Sequence, residues 1–167
     1  MCALFHRGAA RPSVAIMGIW GRPSDPVKRI VSQNIRGMRD EYADKQEALV
    51  EWAKTKHVYV ACLQEVWRTG TTDQDNVHVH VMQTGWALIT HGLQTAVCTR
   101  GSQGVGILLS PKAKVAWEKA GCDTFTFGAR ILAVRLLMRD EKGRVSYTWI
   151  ISAYAPVSSM TDEIEEY

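Results

Sequence analysis

The fold is decided by two β-prone segments, VKRIVSQN at residues 27–34 and HVYVACLQE at residues 57–65. The second segment is almost continuously apolar up to Gln64, which is typical of a strand buried on both faces of a parallel sheet. Between them, residues 38–56 carry apolar side chains at helical spacing and charged side chains on the other face. A strand, a helix and a strand in this order predict a βαβ unit with a right-handed crossover.

Short apolar runs separated by glycines follow this unit. They predict antiparallel strands joined by tight loops at residues 86–90, 96–99 and 105–110, and a further short strand at 115–119. The polar stretch 66–84 before them predicts an irregular surface loop.

The last part of the chain predicts a hairpin and a short helix. Residues 131–139 and 144–154 are long β-prone runs, and the turn sequence Asp-Glu-Lys-Gly at 140–143 separates them. Thr161 is followed by two acidic residues, as in the first turn of a helix.

Composition limits the class of protein. The 167 residues suit one domain or slightly more, and 46% hydrophobic with 22% charged residues excludes collagen, a coiled coil and wholesale disorder. The sequence has no apolar run of about 18 residues, so we expect no transmembrane helix. The cysteines are scattered, which argues against a zinc ribbon and favours a reducing compartment; they are Cys2, Cys62, Cys98 and Cys122.

Charge is concentrated near the start of the chain. Residues 1–30 contain five basic residues and one acidic residue, whereas the remaining 137 contain 15 basic and 16 acidic ones. Residues 1–26 also contain three prolines and no apolar period, and we interpret them as an irregular basic leader. Because the body is not basic, any role in nucleic-acid binding has to come from a local site.

Three polar residues stand where predicted strands end. Asn34 ends the first strand, Glu65 ends the second, and Tyr154 ends the last. The carboxyl ends of parallel strands lie at one edge of a sheet, where ligands gather. A carboxylate there can hold Mg²⁺, and an amide can orient a neighbouring carboxylate or a phosphate oxygen. A phenol can donate to a phosphate or support proton transfer.

Each of these residues also has a structural interpretation. Glu65 is then a polar residue at a strand exit, and Asn34 bonds the turn before Gly37, since asparagine favours turns. Tyr154 is then a half-buried strand aromatic with its hydroxyl in solvent.

Four motifs in order resemble one family. They are SQNIRG at 32–37, ACLQE at 61–65, GVGILLS at 104–110 and SAYAP at 152–156. Their order and spacing resemble the endonuclease/exonuclease/phosphatase family, which includes apurinic/apyrimidinic endonucleases and deoxyribonuclease I. The motif sequences are most similar to those of the endonuclease domains of non-LTR retrotransposons, and the resemblance covers residues 27–167.

The resemblance implies an α/β fold, part of a four-layered sandwich of two mixed β-sheets flanked by helices. It also implies hydrolysis of phosphodiesters with Mg²⁺ or Mn²⁺, and DNA as the substrate. By matching motifs, Glu65 is expected to be the metal ligand, Asn34 to orient the metal or the phosphate, and Tyr154 to contact the scissile phosphate. The alternatives are a phosphodiesterase or phosphatase acting on inositol phosphates or lipid, and a non-catalytic remnant.

The sequence also departs from the family. Many repair members have an aspartate two residues after the motif asparagine, where this chain has Arg36. The later Gly-Asp-Phe-Asn and Ser-Asp-His segments do not occur. We therefore expect the amino-terminal half of a domain truncated after Tyr-Ala-Pro, inactive alone. The parent would be longer, supplying a carboxyl-terminal half or a reverse-transcriptase region in the nucleus or cytoplasm.

The remaining signals are weaker. His78 and His80 share a face if extended, but we interpret them as incidental residues of a polar loop rather than as a metal site. His91, beside a glycine, is interpreted as a turn residue. Trp67 follows Glu65 and either stacks on a base or packs over the rim of the site.

Overall fold

Nine strands and two helices make up the part of the chain that the structure describes. This computed structural model describes residues 15–20, 28–37, 43–66, 77–92, 104–128, 130–140 and 142–155. In chain order the elements are β1 (Ala15–Trp20), β2 (Lys28–Asn34), α1 (Ala43–Thr55), β3 (Val58–Gln64), β4 (Val77–Val81), β5 (Ala87–His91), β6 (Val105–Leu109), α2 (Pro111–Lys119), β7 (Thr124–Phe127), β8 (Ile131–Arg139) and β9 (Val145–Ala153).

The larger sheet has six strands in the order β1-β2-β3-β6-β5-β4. β2 and β3 pair in parallel, with Asn34 opposite Gln64, which confirms the predicted strand–helix–strand unit. β6 runs antiparallel to both β3 and β5, so β5 is parallel to β3. The carboxyl ends of β2, β3 and β5 therefore lie at the same edge. β1 falls within the segment interpreted as a leader and pairs antiparallel with β2.

The smaller sheet consists of β7, β8 and β9, all antiparallel. β8 and β9 form the predicted hairpin, paired from Arg139 opposite Val145 to Ile131 opposite Ala153. The Asp140 carboxylate closes the turn by accepting hydrogen bonds from the backbone N–H groups of residues 142 and 144. A hydrogen bond from the Arg144 side chain to Asp140 is the main reason that the pKa of this carboxyl lies below its usual value.

The two sheets pack face to face around the main core. Successive strand residues point to opposite faces, so Leu132, Val134 and Leu136 of β8 point inward and are fully buried. They meet residues of β3, β5 and β6 and the buried side of α2. The opposite face of the larger sheet is covered by α1, through Leu49, Val50 and their neighbours.

The expectation of a helix-flanked, four-layered α/β sandwich is wrong. The described chain is mostly β, with two sheets and only two helices. α1 covers one outer face, but α2 joins the core between the sheets. No described helix lies over the outer face of the smaller sheet, where Phe125, Tyr147 and Trp149 are exposed. The resemblance implied helices on the outer faces of both sheets, whereas the described residues form only two helices, of which one covers an outer face.

Individual elements also differ from the sequence expectations. Residues 115–119 belong to α2 and not to a strand, because Ser110 caps the helix by accepting a hydrogen bond from Ala113 N and Pro111 occupies the first turn. β4 lies within the predicted loop, and β7 was not predicted. The strand predicted at 96–99 and the helix predicted at Thr161 lie outside the described residues.

Neither helix in the described ranges has the length and apolarity that crossing a membrane requires.

Candidate functional site

Asn34, Glu65 and Tyr154 meet at the edge where β2, β3 and β9 end. The side-chain amide of Asn34 donates a hydrogen bond of 2.6 Å from Nδ2 to Glu65 Oε1. The Tyr154 hydroxyl donates to the same oxygen at 3.3 Å. Both donors fall on Oε1, and within the described residues the structure records no donor to Oε2. Two donors on one oxygen thus fix the orientation of the carboxylate.

The orientation of Asn34 follows from its second hydrogen bond. Its Oδ1 accepts from the backbone N–H of Arg36 at 3.1 Å, so Nδ2 is the atom that points at Glu65. Asn34 is buried, and Glu65 is half-buried. Asn34 thus bonds the following turn, as its structural interpretation predicts, and its amide also contacts the Glu65 carboxylate.

The loop after Asn34 is held from two sides, by Glu65 and by α1. The backbone N–H of Gly37 donates to the Glu65 carbonyl at 2.6 Å. From α1, Lys45 Nζ donates to the carbonyl oxygens of Gly37 at 2.6 Å and of Arg36 at 3.2 Å. Partial burial lowers the pKa of Lys45. α1 thereby fixes the loop that places the Asn34 amide beside the carboxylate.

Two residues of the site have backbone angles that non-glycine residues rarely adopt. Glu65 has φ of 54° and Arg36 has φ of 46°, both in the left-handed region. Each such residue costs on the order of 1 kcal/mol and persists only where its surroundings hold it. Here Glu65 is held by the Gly37 bond to its carbonyl and by the hydrogen bond from Val66 N to Gly104 O, 3.1 Å long. Strain of this kind is concentrated at functional sites.

Tyr154 reaches Glu65 because the two sheets are joined at this end. Ser152 Oγ, fully buried, donates to the carbonyl oxygen of Leu63 at 3.0 Å. The thiol of Cys62 donates to Ile151 O at 3.5 Å, and burial raises the pKa of this thiol to about 12. These contacts hold the end of β9 against the end of β3. The phenol is half-buried and is hydrogen-bonded to the carboxylate, so its hydroxyl is not simply in solvent.

Further polar side chains at this edge were not anticipated from the sequence. Ser32 of β2 and Gln64 of β3 are diagonal neighbours on the two strands, and Gln64 Nε2 donates a hydrogen bond to Ser32 Oγ at 3.1 Å. His91 is the last residue of β5 and is buried, so its interpretation as a turn residue is wrong. Its Nε2 is hydrogen-bonded to Gly128 O. The signal that could have found it is its place at the end of a strand parallel to β3.

The other residues weighed from the sequence do not join this edge. His78 and His80 lie on β4, the edge strand of the larger sheet, and His80 is exposed. Within the described residues, no group of three or more His, Cys, Asp or Glu side chains is placed to hold a metal ion. Trp67 lies outside the described residues.

No protein-family model matches the chain, and no curated protein matches it significantly.

Proposed function

We propose that the chain carries a metal-dependent phosphodiesterase site of the DNA endonuclease type, similar to that of retrotransposon endonuclease domains. One observation carries the proposal: an amide and a phenol, from strands distant in sequence, converge on the same oxygen of the Glu65 carboxylate. A purely structural glutamate at a strand exit needs neither partner. The left-handed backbone at Glu65, held by the hydrogen bonds of Gly37 and Val66, also supports the proposal, because such conformations are concentrated at functional sites.

The residues present fit Mg²⁺ or Mn²⁺ in their chemistry. Mg²⁺ prefers oxygen ligands, retains several waters and is commonly bound through one or two carboxylates together with substrate phosphate. Glu65 would hold the ion. A bound ion of this kind stabilises the charge that develops on the phosphate and on the leaving oxygen.

The chain's own side chains have separate tasks in this proposal. Asn34 keeps the Glu65 carboxylate in one orientation, since its amide is itself fixed by Arg36 N. Tyr154 presents a hydroxyl at the same point, and its single proton, donated to Glu65 Oε1 in this structure, would turn to a phosphate oxygen when substrate binds. Attack by water also needs a proton donor and acceptor. The described part of the site contains no carboxylate besides Glu65, so we assign that task to none of its residues.

Two alternatives remain for the same residues. A phosphodiesterase or phosphatase acting on inositol phosphates or lipid needs the same carboxylate and phenol, and a non-catalytic remnant needs neither for turnover. We favour DNA as the substrate because the motif sequences are most similar to those of retrotransposon endonucleases. The parent protein would then supply the later motifs, or a reverse transcriptase, and would act inside the cell, in the nucleus or cytoplasm.

Binding tests the proposal without requiring turnover. Amide spectra of the ¹⁵N-labelled chain are recorded with a nuclease-resistant phosphorothioate DNA duplex, with Mg²⁺ or with EDTA, and then with inositol phosphates instead. We expect Mg²⁺-dependent shifts at residues 34–37, at 65–66 and at Tyr154, larger with DNA. Tyr154→Phe should weaken the DNA-induced shifts and leave the Mg²⁺-induced shifts in place.

The control variant is Glu118→Gln, which removes a surface carboxylate paired with Lys114 on α2. It should behave like the parent. Shifts that do not depend on Mg²⁺, or that fall elsewhere on the molecule, contradict the proposal. Stronger shifts with inositol phosphates than with DNA favour the alternative substrate class.

A further inference from the structure

Strand β9 turns its apolar side chains away from the core. Successive residues of a strand point to opposite faces, and the inward positions of β9 are mostly polar; they are Ser146, Thr148, Ile150 and Ser152. The outward positions are apolar, and all of them are exposed; they are Val145, Tyr147, Trp149, Ile151 and Ala153. The solvated face of an antiparallel sheet ordinarily carries the polar residues of the alternation. The reversed pattern of β9 indicates that its outer face is a binding surface.

The neighbouring strands continue this apolar surface. Phe125 of β7 is 57% exposed, and Leu137 of β8 is half-buried on the same side. We call the surface the outer patch; its large apolar side chains are Phe125, Leu137, Val145, Tyr147, Trp149 and Ile151. Lysine, glutamate and aspartate occupy none of the outward positions of β8 and β9. The cores of protein–protein interfaces have this composition, because they are rich in aromatic residues and arginine and poor in those three.

The charge at the centre of the outer patch is balanced within the chain itself. Arg135 pairs with Asp123, and its Nη2 donates to the carbonyl oxygen of Ala120 at 3.2 Å. Its guanidinium lies 4.5 Å from the ring centroid of Tyr147 and 5.8 Å from that of Trp149. Burying an ion pair is tolerable when both partners are already paired and hydrogen-bonded. A partner of the outer patch therefore needs no acidic group of its own, and an apolar surface fits it.

The register makes the outer patch complementary to itself. Arg135 and Trp149 stand opposite each other in its middle row. The rows on either side are apolar, and each contains an aromatic residue; they are Phe125 with Ile151, and Leu137 with Tyr147. A two-fold axis along the middle row brings the first of these rows in one copy against the second in the other copy. The same contact then occurs twice, as in every isologous dimer.

We propose that the outer patch binds the outer patch of a second copy of this chain, with the two-fold axis along the row of Arg135 and Trp149. Charge decides the direction of the axis. Arg139 also points outward from β8 and lies four residues from Arg135, so the two Arg139 positions are about 27 Å apart across this axis, at 3.4 Å per residue. That separation is several times the Debye length of about 8 Å at physiological salt. An axis along the strands would instead bring the two Arg139 side chains together.

The area of the outer patch reaches what a stable dimer needs. A large aromatic side chain has about 200 Å² of surface, so the half-exposed Phe125, Tyr147 and Trp149 contribute roughly 300 Å². Val145, Ile151 and the half-buried side chains beside them raise the sum to roughly 600 Å² per copy. Two copies then bury about 1,200 Å², which is the lower limit for specific, stable interfaces. We therefore expect a dimer that dissociates in the micromolar range.

Sedimentation velocity of the full chain tests the proposal. Protein concentrations from about 1 to 100 µM bracket the expected dissociation constant, and we expect a dimer at the upper end and a monomer at the lower end. Ile151→Asp buries an unpaired carboxylate in the contact and should weaken dimerisation about a hundredfold or more. The matched control is Val79→Asp, which adds the same charge at an exposed apolar position on β4 and should dimerise like the parent.

A parent chain that stays monomeric up to about 100 µM overturns the proposal, as does a folded Ile151→Asp protein that dimerises like the parent. Loss of the dimer in a folded Val79→Asp protein also overturns it, because the contact would then involve β4. If Ile151→Asp fails to fold, hydroxyl-radical footprinting of the parent replaces it, and oxidation of Tyr147 and Trp149 should rise severalfold on dilution. Oxidation rates that do not change on dilution overturn the proposal.

Discussion

Gly106 lies in the middle of β6, where an added methyl group would be crowded. A Cβ atom there would lie 3.1 Å from Val66 Cγ2, 3.3 Å from the carbonyl oxygen of Ile89 and 3.5 Å from Thr90 Cγ2. Val66 is the residue after Glu65, so a displacement of Val66 would also displace Glu65. The Val66 side chain can rotate, but Ile89 O belongs to the ladder between β5 and β6 and cannot move away.

We therefore predict that Gly106→Ala destabilises the fold. Overpacking of this kind costs about 1–3 kcal/mol. Alanine recovers roughly 0.5–1 kcal/mol of that, because glycine loses more conformational freedom on folding. The net expectation is a free energy of unfolding lower by about 1–2 kcal/mol. Urea unfolding followed by far-UV circular dichroism measures it.

A double-mutant cycle with Val66→Ala identifies the contact responsible. Val66 is fully buried, so its truncation alone costs about 2 kcal/mol in lost burial and cavity formation. In the double variant the new methyl group occupies the space that Val66 vacates, and the combined cost should be less than the sum of the single costs. Additive effects, or a Gly106→Ala protein as stable as the parent, would refute the reasoning.

Three further predictions follow from individual contacts. Ser152→Ala leaves the buried Leu63 carbonyl oxygen without its hydrogen-bond donor and should lower the free energy of unfolding by about 1–2 kcal/mol. Urea titration measures this change, and no loss of stability would mean that this hydrogen bond does not join the sheets. In the folded chain at pH 8, Cys62 should resist alkylation by iodoacetamide while the exposed Cys122 reacts. Burial raises the pKa of the Cys62 thiol to about 12, so only about one Cys62 thiol in ten thousand is ionised at this pH. Rapid labelling of Cys62, detected by mass spectrometry, would contradict this. Asn34→Asp places a second carboxyl beside Glu65, and the repulsion raises a carboxyl pKa in the folded state. Its stability should thus fall relative to the parent as pH rises from 4 to 7, and a constant difference in urea midpoints would contradict this.

The part of the fold that could be predicted from the sequence is the part with a regular pattern. The strand–helix–strand unit and the β8–β9 hairpin have runs long enough for their periods to show, and the structure confirms both. The second half of α2 was predicted as a strand because residues 115–119 were weighed without the capping serine and the proline before them. β4 and β7 have mostly exposed side chains, so no buried face marks them in the sequence.

The site was predictable to the same limited degree. Asn34 ends β2 and Glu65 directly follows β3. Because these strands are parallel neighbours, the proximity of the two residues follows from the topology alone. The approach of Tyr154 depends on how the two sheets pack, through Ser152 and Cys62, and no local pattern encodes that contact. The layered fold class failed because it was carried over from a resemblance and not from helical periods in this chain.

The central claim is that Glu65 presents a carboxylate for a divalent cation beside Asn34. The most direct measurement is the paramagnetic broadening by Mn²⁺ of the Asn34 side-chain amide signal, compared between the parent, Glu65→Gln and Glu118→Gln. Glutamine preserves shape but removes the charge that Mg²⁺ and Mn²⁺ require. The account predicts strong broadening at low Mn²⁺ in the parent and in Glu118→Gln, and its loss in a folded Glu65→Gln protein. Equal broadening in the parent and Glu65→Gln, or no broadening at Asn34 in the parent, would contradict the account.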